Sequence, residues 1–280
     1  MGRCQYCGQS AGLFKTHHET CKIRQEIGWE SMISRATKAL TSGEGRESLE
    51  EELRVAAGES YVPTSSVREA LNQAWQRAVS LYLDDDLLTE EEEKRLQSFL
   101  ERFKLEQREL DSSGAMTRVV KAGTLRDVMQ GEVPDRVNVI GDIPFNLQKG
   151  EQFVWAFQNA VYFVEKSRTV YQGRSAGVSI RVMRGVYYRT GVFRGYPSTT
   201  TYTAQEDVGL LGFTTKNLYF AGQRRAFRIP YTKIIALQPY SDGIGVQKDG
   251  VSAKPLIFTT GDGWFTYNLL TNLSRIGIES

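Results

Sequence analysis

The sequence predicts an α+β protein in which a helical first half precedes an antiparallel β second half. Upstream of Pro134 the 280-residue chain is charged and rich in Leu and Glu, whereas downstream Val, Ile, Tyr, Phe, Thr and Gly predominate. The charge changes at the same place: residues 1–132 contain 18 basic and 23 acidic residues, and residues 133–280 contain 17 and 10. The halves therefore carry net charges of −5 and +7. We predict three segments, 1–24, 25–132 and 133–280.

The composition indicates an ordinary globular protein. Apolar residues make up 40% of the chain and charged residues 24%. No uninterrupted apolar stretch approaches the roughly 20 residues that a membrane-spanning helix needs. The first residues open no signal peptide, and Tyr6 stands where a myristoylation motif requires Ser or Thr. We therefore expect a cytoplasmic protein without a transmembrane segment.

All three cysteines and both histidines lie within residues 4–21. They follow the pattern Cys4-x2-Cys7-x9-His17-x3-Cys21, with His18 as a competing ligand. Two cysteines separated by two residues can bind one ion from a tight turn, and a His and a Cys four residues apart share one face of a helix. Because of that spacing, the sequence favours His17 over His18 as the fourth metal ligand.

This segment resembles a short Cys-Cys-His-Cys zinc finger over residues 3–24, which implies a bound Zn²⁺. Leu13 and Phe14 are expected to form its small core. The first loop is too short for a full β-hairpin. Free thiols, or a disulfide with one cysteine left over, are the alternatives, which the absence of a secretion signal disfavours.

Residues 23–130 are predicted to be helical. One run covers about Arg24–Leu40, and a last run, Leu125–Gly131, ends in a glycine that suits a helix C-terminus. Three further helices start at capping-box patterns, in which Ser or Thr is followed three residues later by Glu. These pairs are Ser48/Glu51, Ser66/Glu69 and Thr89/Glu92. The three aspartates at positions 84–86 lack EF-hand spacing and are predicted to form a solvated turn. The helix–acidic turn–helix arrangement is similar to the TerB-like modules of bacterial tellurite resistance.

The second half is predicted to consist of short strands closed by one helix. Phe265, Leu269, Leu273 and Ile276 recur at helical spacing near the end of the chain. The candidate strands are Arg136–Ile140, Phe153–Phe157, Val161–Val164, Val178–Val182, Val186–Tyr188, Leu210–Thr214, Leu218–Ala221, Ala226–Ile229, Ile234–Leu237, Gly245–Gln247 and Leu256–Thr259.

The stretch Gly209–Gly222 followed by Arg228–Ile235 resembles bacterial PH-like, or GRAM-like, domains. Their recurring run of Gly, Leu, Thr and Phe before an Ile-Pro pair matches here. The resemblance covers about residues 145–278. It implies an antiparallel β-barrel or sandwich with a C-terminal closing helix, and a non-catalytic docking module.

Basic residues in this half form two groups that would attract anionic surfaces if they shared one face. Alternatively, they simply alternate outward into solvent. The candidate anion- or partner-binding residues are Arg174, Arg181, Arg184, Arg224, Arg225, Arg228 and Lys233.

Catalytic motifs are missing from the sequence. Both histidines belong to the metal motif, and there is no G-x-S-x-G, no H-E-x-x-H and no Gly-Lys pair for a P-loop. We therefore expect a non-enzymatic adaptor, whose finger and helices contact a protein partner while the β domain docks on protein or an anionic surface. The resemblances suggest an accessory role in bacterial stress response or phage defence. The alternatives are a nucleic-acid-binding protein that uses the finger and the basic β domain, and a subunit of a larger assembly.

Overall fold

The computed structural model divides the chain into two units, Met1–Glu132 and Val133–Ser280. It describes residues 2–43, 47–110, 113–137, 143–183, 186–250 and 253–279. For residues 167–202 and 277–279 it describes the backbone alone.

Helices dominate the first unit. Two short antiparallel strands precede them, β1 (Gly2–Arg3) and β2 (Ser10–Gly12). The helices are α1 (Glu19–Ser42), α2 (Leu49–Glu59), α3 (Val67–Tyr82), α4 (Glu90–Phe103), α5 (Gln107–Leu110) and α6 (Ala115–Met129). Helix α1 begins five residues earlier than predicted, because no helix breaker lies between Glu19 and Arg24. It therefore includes Cys21 and runs through the predicted boundary after residue 24.

The core of this unit is apolar and continuous across the helices. Trp75, Phe99 and Met32 are fully buried, and α1 packs mainly on α3. The indole N–H of Trp75 donates to the Leu96 carbonyl at 3.2 Å, so its buried polar atom is satisfied. The rings of Phe99 and Phe103 lie 4.6 Å apart. This core holds α1 in place behind the cysteines.

Only one of the three predicted capping boxes forms. The Thr89 hydroxyl accepts the Glu92 backbone N–H at 3.3 Å, while the Glu92 carboxylate accepts the Thr89 N–H at 2.9 Å. Ser48 and Ser66 have helical backbone angles and make no side-chain cap. Residues Thr64–Ser66 form a 3-10 turn instead, which removes the extended conformation that a cap residue requires.

The second unit is a seven-stranded antiparallel sheet followed by a helix. Its strands are β3 (Phe153–Met183), β4 (Val186–Thr214), β5 (Asn217–Gly222), β6 (Ala226–Pro230), β7 (Ile234–Pro239), β8 (Gly243–Lys248) and β9 (Leu256–Thr259). They lie in the order β6-β5-β4-β3-β9-β8-β7. The α+β class and the antiparallel sheet are confirmed. Among the described strands, the outermost pair, β6 and β7, are not bonded to each other, so the predicted barrel closure is not observed.

The predicted closing helix is present as α7 (Gly263–Glu279). Phe265, Leu269 and Leu273 are buried. The Phe265 ring lies 5.1 Å from the Trp155 ring and 6.0 Å from the Phe157 ring, both on β3. The helix therefore covers the sheet with the apolar face that its spacing predicts.

Strands β3 and β4 form one long hairpin. Their register runs from Phe153↔Thr214 to Met183↔Val186, with β-bulges or irregularities at four places along the hairpin. The sequence predicts several short strands in this region, where the structure has two long ones. Residues 136–137 are not in a strand, and the rest of the predicted strand Arg136–Ile140 lies outside the described residues.

Candidate metal centre

A tight turn brings the first two cysteines together. The Cys4 carbonyl accepts the Gly8 N–H at 2.9 Å, and the Cys4 N–H donates to the Gln9 carbonyl at 2.8 Å. Gly8 has a φ of 72°, a conformation that glycine adopts without steric cost. The turn therefore folds the chain back so that Cys7 returns to the side of Cys4. We call residues 2–18 the knuckle.

The other two donors lie at the start of α1. His18 precedes the helix with an extended backbone (φ −86°, ψ 142°), and its carbonyl accepts the N–H groups of Cys21 and Lys22 at 3.1 Å. Its own N–H points at the Cys4 sulfur, 3.4 Å away. The helix start thus places the His18 ring and the Cys21 thiol one turn apart and facing the knuckle.

Cys4, Cys7, His18 and Cys21 converge on one point. Their ligand atoms all lie within 4.8 Å of one another. The His18 Nδ1 atom lies 3.4 Å from the Cys7 sulfur and 3.7 Å from the Cys21 sulfur. Around a tetrahedral ion with metal–sulfur bonds of about 2.3 Å and metal–nitrogen bonds of about 2.1 Å, sulfur and nitrogen would be about 3.6 Å apart. The observed spacing therefore fits a metal ion held by all four residues.

The second ring nitrogen of His18 fixes the tautomer that metal binding needs. Its Nε2 atom lies 3.0 Å from the Ser10 carbonyl oxygen, which only accepts hydrogen bonds. Nε2 must therefore carry the proton, and Nδ1 is left with one lone pair directed at two sulfurs. One lone pair cannot accept a hydrogen bond from both thiols along its axis, whereas a single cation can bind all three atoms. Metal-ligating histidines usually donate their other ring N–H to such a carbonyl, which fixes the orientation of the ring.

The structure places His18, and not the predicted His17, beside the three cysteines. The His17 Nδ1 atom lies 3.3 Å from the Thr16 hydroxyl, and its Nε2 atom lies 3.9 Å from the Glu19 carboxylate. The reason is that His17 and His18 precede the helix instead of lying within it, so helical spacing does not apply to them. The extended backbone of His18 turns its ring toward the cysteines.

The thiols of Cys4 and Cys21 have pKa values shifted in opposite directions. Although burial raises the pKa of Cys4, backbone N–H groups of Cys7, His18 and Tyr6 outweigh it and lower the value to about 6. Burial, together with the neighbouring sulfurs of Cys7 and Cys4, raises the pKa of Cys21 to about 11. A thiolate at Cys21 therefore needs a positive charge at the centre of the cluster, as a metal ion supplies.

Comparison with known proteins adds no family to this geometry. No family model, no curated protein and no solved structure matches the chain. No helix in the described part of the chain is long and apolar enough to cross a membrane. Function is therefore inferred from the chain's own residues.

The knuckle packs against the helices through aromatic residues that the sequence analysis did not single out. The Tyr6 ring lies 6.4 Å from the Tyr61 ring, which also receives the Arg24 guanidinium at 5.3 Å. Leu13 and Phe14, predicted to form the core of the finger, are 73% and 100% exposed instead. The metal cluster and this stack replace the expected apolar core.

The structure describes the side chains of four of the seven predicted basic residues of the second unit. The side chains of Arg174 and Arg181, and all of Arg184, lie outside the described residues. Arg228 lies on β6 opposite Tyr219, and Lys233 follows that strand. Arg224 and Arg225 lie in the β5–β6 turn.

An internal carboxylate already occupies the N–H groups of that turn. The Asp207 carboxylate accepts the backbone N–H of Arg224 at 2.7 Å, of Arg225 at 2.8 Å and of Val208 at 2.9 Å. These bonds outweigh the burial of Asp207 and lower its pKa. The Asp207 carboxylate therefore stabilises the turn from inside, and the N–H groups of Arg224 and Arg225 are already occupied.

One cavity on the surface of the second unit, called the hollow below, is lined by several basic side chains. Its volume is about 520 Å³, and it lies where β3, β4, the β5–β6 turn and the β8–β9 connection meet. Lys166 and Arg225 both pair with Glu206, whose pKa is lowered first by the hydrogen bond from Lys166 and further by the two positive charges. Lys248 and Lys254 line the same hollow. The full lining is Tyr162, Val164, Glu165, Lys166, Glu206, Arg225, Phe227, Lys248, Ala253, Lys254 and Leu256.

A second buried carboxylate, Glu151, is structural. It accepts the Gln148 N–H at 2.7 Å, the Asn217 amide at 2.7 Å, the Tyr219 hydroxyl at 2.8 Å and the Thr214 hydroxyl. These bonds outweigh the burial of Glu151 and lower its pKa. A carboxylate with four donors and a lowered pKa is poorly suited to act as a general base, so this cluster anchors the β4–β5 turn.

Proposed function

We propose that the chain is a non-enzymatic adaptor with a structural zinc site in its first unit and a PH-like docking module as its second. In this proposal the first unit contacts a protein partner, and the second docks at an anionic surface. The observation that carries the proposal is the convergence of four protein donors on one point.

The donor set supports zinc and a structural role. Three thiolates and one imidazole are soft or borderline ligands that favour Zn²⁺ over Mg²⁺ or Ca²⁺. Four protein ligands complete a tetrahedron, whereas a catalytic zinc keeps one position for water or substrate. Because the cysteines are ligands rather than disulfides, a reducing compartment such as the cytoplasm suits the site.

The second unit supports a PH-like docking role by its topology and its charge. Seven antiparallel strands followed by a covering helix agree with the resemblance in Gly209–Ile235. The hollow lined by Lys166, Arg225, Lys248 and Lys254 provides a place for an anionic group. The bacterial resemblances extend the proposal to an accessory role in stress response or phage defence.

Chelation tests the zinc part of the proposal. We expect removal of zinc from the purified chain to speed backbone hydrogen exchange in β1, β2 and the first turns of α1, and to leave the sheet unchanged. Loss of metal without any change in exchange there would contradict a structural role. Collapse of protection in both units would contradict the modular adaptor.

Vesicle binding tests the docking part. We expect the full chain to bind vesicles of phosphatidylcholine mixed with phosphatidylserine, and the double variant Lys248→Ala/Lys254→Ala to bind about tenfold less tightly. Lys149→Ala, an exposed lysine of the same unit, is the matched control. Equal affinity of the double variant and the control would contradict docking through this hollow.

The adaptor itself is tested by co-purification. A stoichiometric protein partner should be lost in Cys7→Ser and retained in the double lysine variant. Retention in both, or loss in both, would contradict the assignment of the partner to the first unit.

A further inference from the structure

The tip of the knuckle is the most exposed apolar feature of the described chain. Phe14 is 100% exposed and Leu13 is 73% exposed, and no other large apolar side chain among the described residues reaches either value. The two residues follow β2 and precede the helix start that carries His18. We call Leu13–Phe14 the knuckle tip.

Hydrogen bonds and pairing on both sides hold the knuckle tip in place. Before it, Gly12 pairs with Gly2 in the small sheet. After it, the Lys15 carbonyl packs so closely on Gly2 that a Cβ there would lie 2.2 Å from its oxygen. One residue further, the Thr16 carbonyl accepts the Gln5 N–H at 2.8 Å. The exposed pair is therefore part of a braced loop.

The backbone of Phe14 is strained. Its φ of 64° lies in the left-handed region, which a bulky aromatic residue rarely adopts. Such conformations persist only where the surrounding structure imposes them, and they concentrate at functional positions. Here the strain coincides with full exposure of the ring, so burial of the side chain does not compensate for it.

The charged side chains of the segment that carries the knuckle tip are positive. Arg3 and Lys15 are exposed, and the segment from Gly2 to Thr16 contains no Asp or Glu. Lys15 follows the tip directly in sequence. Its carbonyl contacts Gly2, and Arg3 is the next residue after Gly2 in β1. An apolar tip surrounded by cations matches a layer that is apolar inside and anionic at its surface.

We propose that the knuckle tip is a membrane contact: Leu13 and Phe14 insert into an anionic lipid bilayer while Arg3 and Lys15 contact its headgroups. A projecting tip requires a matching pocket on a protein partner, whereas a fluid bilayer accepts it without one. The cationic surroundings select an anionic bilayer. This contact goes beyond the docking role proposed for the second unit, because it lies in the first unit and uses different residues.

Phe14→Gly is the decisive variant, because glycine adopts a positive φ freely and the knuckle stays folded without the ring. In the zinc-loaded full chain, we expect Phe14→Gly and Leu13→Ser each to weaken binding to phosphatidylcholine–phosphatidylserine vesicles by about tenfold. Lys15→Ala should weaken it by about fivefold, and added salt should reduce that difference. Leu81→Ser removes a 59% exposed apolar residue of α3 and is the matched control.

Equal vesicle affinity for Phe14→Gly and Leu81→Ser, with zinc content unchanged, would overturn the membrane contact. The membrane contact would also be overturned if only Lys248→Ala/Lys254→Ala lost vesicle binding and the tip variants kept it. That result would still support the docking role of the second unit. If Phe14→Gly instead released a purified protein partner and left vesicle binding unchanged, the tip would be a protein contact and the lipid proposal would be wrong.

Discussion

Replacing Glu151 by Gln should destabilise the second unit strongly although the two side chains have nearly the same shape. The carboxylate accepts four hydrogen bonds, two at each oxygen, and is only 8% exposed. Glutamine keeps one acceptor oxygen and turns an NH₂ group toward the other two donors. If that group takes the place of Oε1, which Thr214 and Asn217 contact, the Asn217 amide loses this acceptor. If it takes the place of Oε2, which Gln148 and Tyr219 contact, the Gln148 N–H loses its acceptor.

The magnitude follows from the bonds that are lost. A hydrogen bond to a charged acceptor contributes about 1.5–3 kcal/mol, and a buried donor without a partner costs about 1–3 kcal/mol. The Tyr219 hydroxyl can rotate to accept the new NH₂ group. The Thr214 hydroxyl already accepts the backbone N–H groups of Lys216 and Asn217, so it can only redirect its own proton to the Asn217 carbonyl. One orphaned N–H and weaker remaining bonds are therefore the net loss. We expect the free energy of unfolding to fall by about 2–4 kcal/mol, which lowers the melting temperature of a unit of this size by roughly 5–15 °C.

Calorimetry and hydrogen exchange of the full chain measure this effect and place it in one unit. Exchange should accelerate in β5 and the β4–β5 turn and stay unchanged in the helices. Asp249→Asn, an exposed carboxylate of the same unit, is the control. A loss in Glu151→Gln no greater than about 0.5 kcal/mol, or equal to that of the control, would refute the view that this carboxylate holds the turn.

Three further predictions concern Glu151, Gly28 and Asp207. The pKa of Glu151 is lowered in the folded chain, so the stability that this carboxylate provides is present above its ordinary pKa of 4.5 and is lost as pH falls below that value. The free energy of unfolding of the wild-type chain should therefore decrease over that pH range, and that of Glu151→Gln should not. Gly28→Ala places a Cβ 2.1 Å from the Ser60 Cβ, and the cost of this overpacking should exceed the roughly 1 kcal/mol gain in helix propensity. Urea unfolding should show the first unit destabilised by about 1–2 kcal/mol, and failure of Ser60→Gly to restore the stability would contradict the clash. Asp207→Ala leaves three backbone N–H groups without an acceptor, so the amides of Arg224 and Arg225 should exchange about tenfold faster; unchanged exchange would show that the turn does not depend on the carboxylate.

Local patterns predicted the elements that are determined by their own residues. The α7 spacing of Phe265, Leu269 and Leu273, the Thr89 cap and the hairpin of β4 with β5 are all present. Each depends on side chains a few residues apart along the chain, where periodicity and turn chemistry decide the structure.

The long β3–β4 hairpin was not predicted, because its length depends on cross-strand pairing of residues far apart in sequence. Pairs such as Gly173↔Gly195 and Gly177↔Gly191 lie within the ladder, although isolated glycines ordinarily indicate turns. Barrel closure would require β6 to pair with β7, which lie at opposite ends of the sheet. Short-range sequence patterns carry no information about such a pairing.

The candidate metal site was largely predictable, since every Cys and His of the chain lies within 18 residues. The spacing named three of the four residues that the structure brings together. It failed at His18 because the preference assumed a helix that had not yet begun at that residue. The partner that orients the His18 ring, the Ser10 carbonyl, is a backbone group and leaves no signal in the sequence.

The metal content of His18→Ala against His17→Ala tests the central claim most directly. Both variants remove one imidazole from neighbouring positions, so each controls for the other. We expect elemental analysis of the purified full chain to find one zinc per wild-type chain and per His17→Ala chain, and a large loss of zinc from His18→Ala. Zinc retained in His18→Ala and lost in His17→Ala, or no stoichiometric metal in the wild-type chain, would contradict the site formed by Cys4, Cys7, His18 and Cys21.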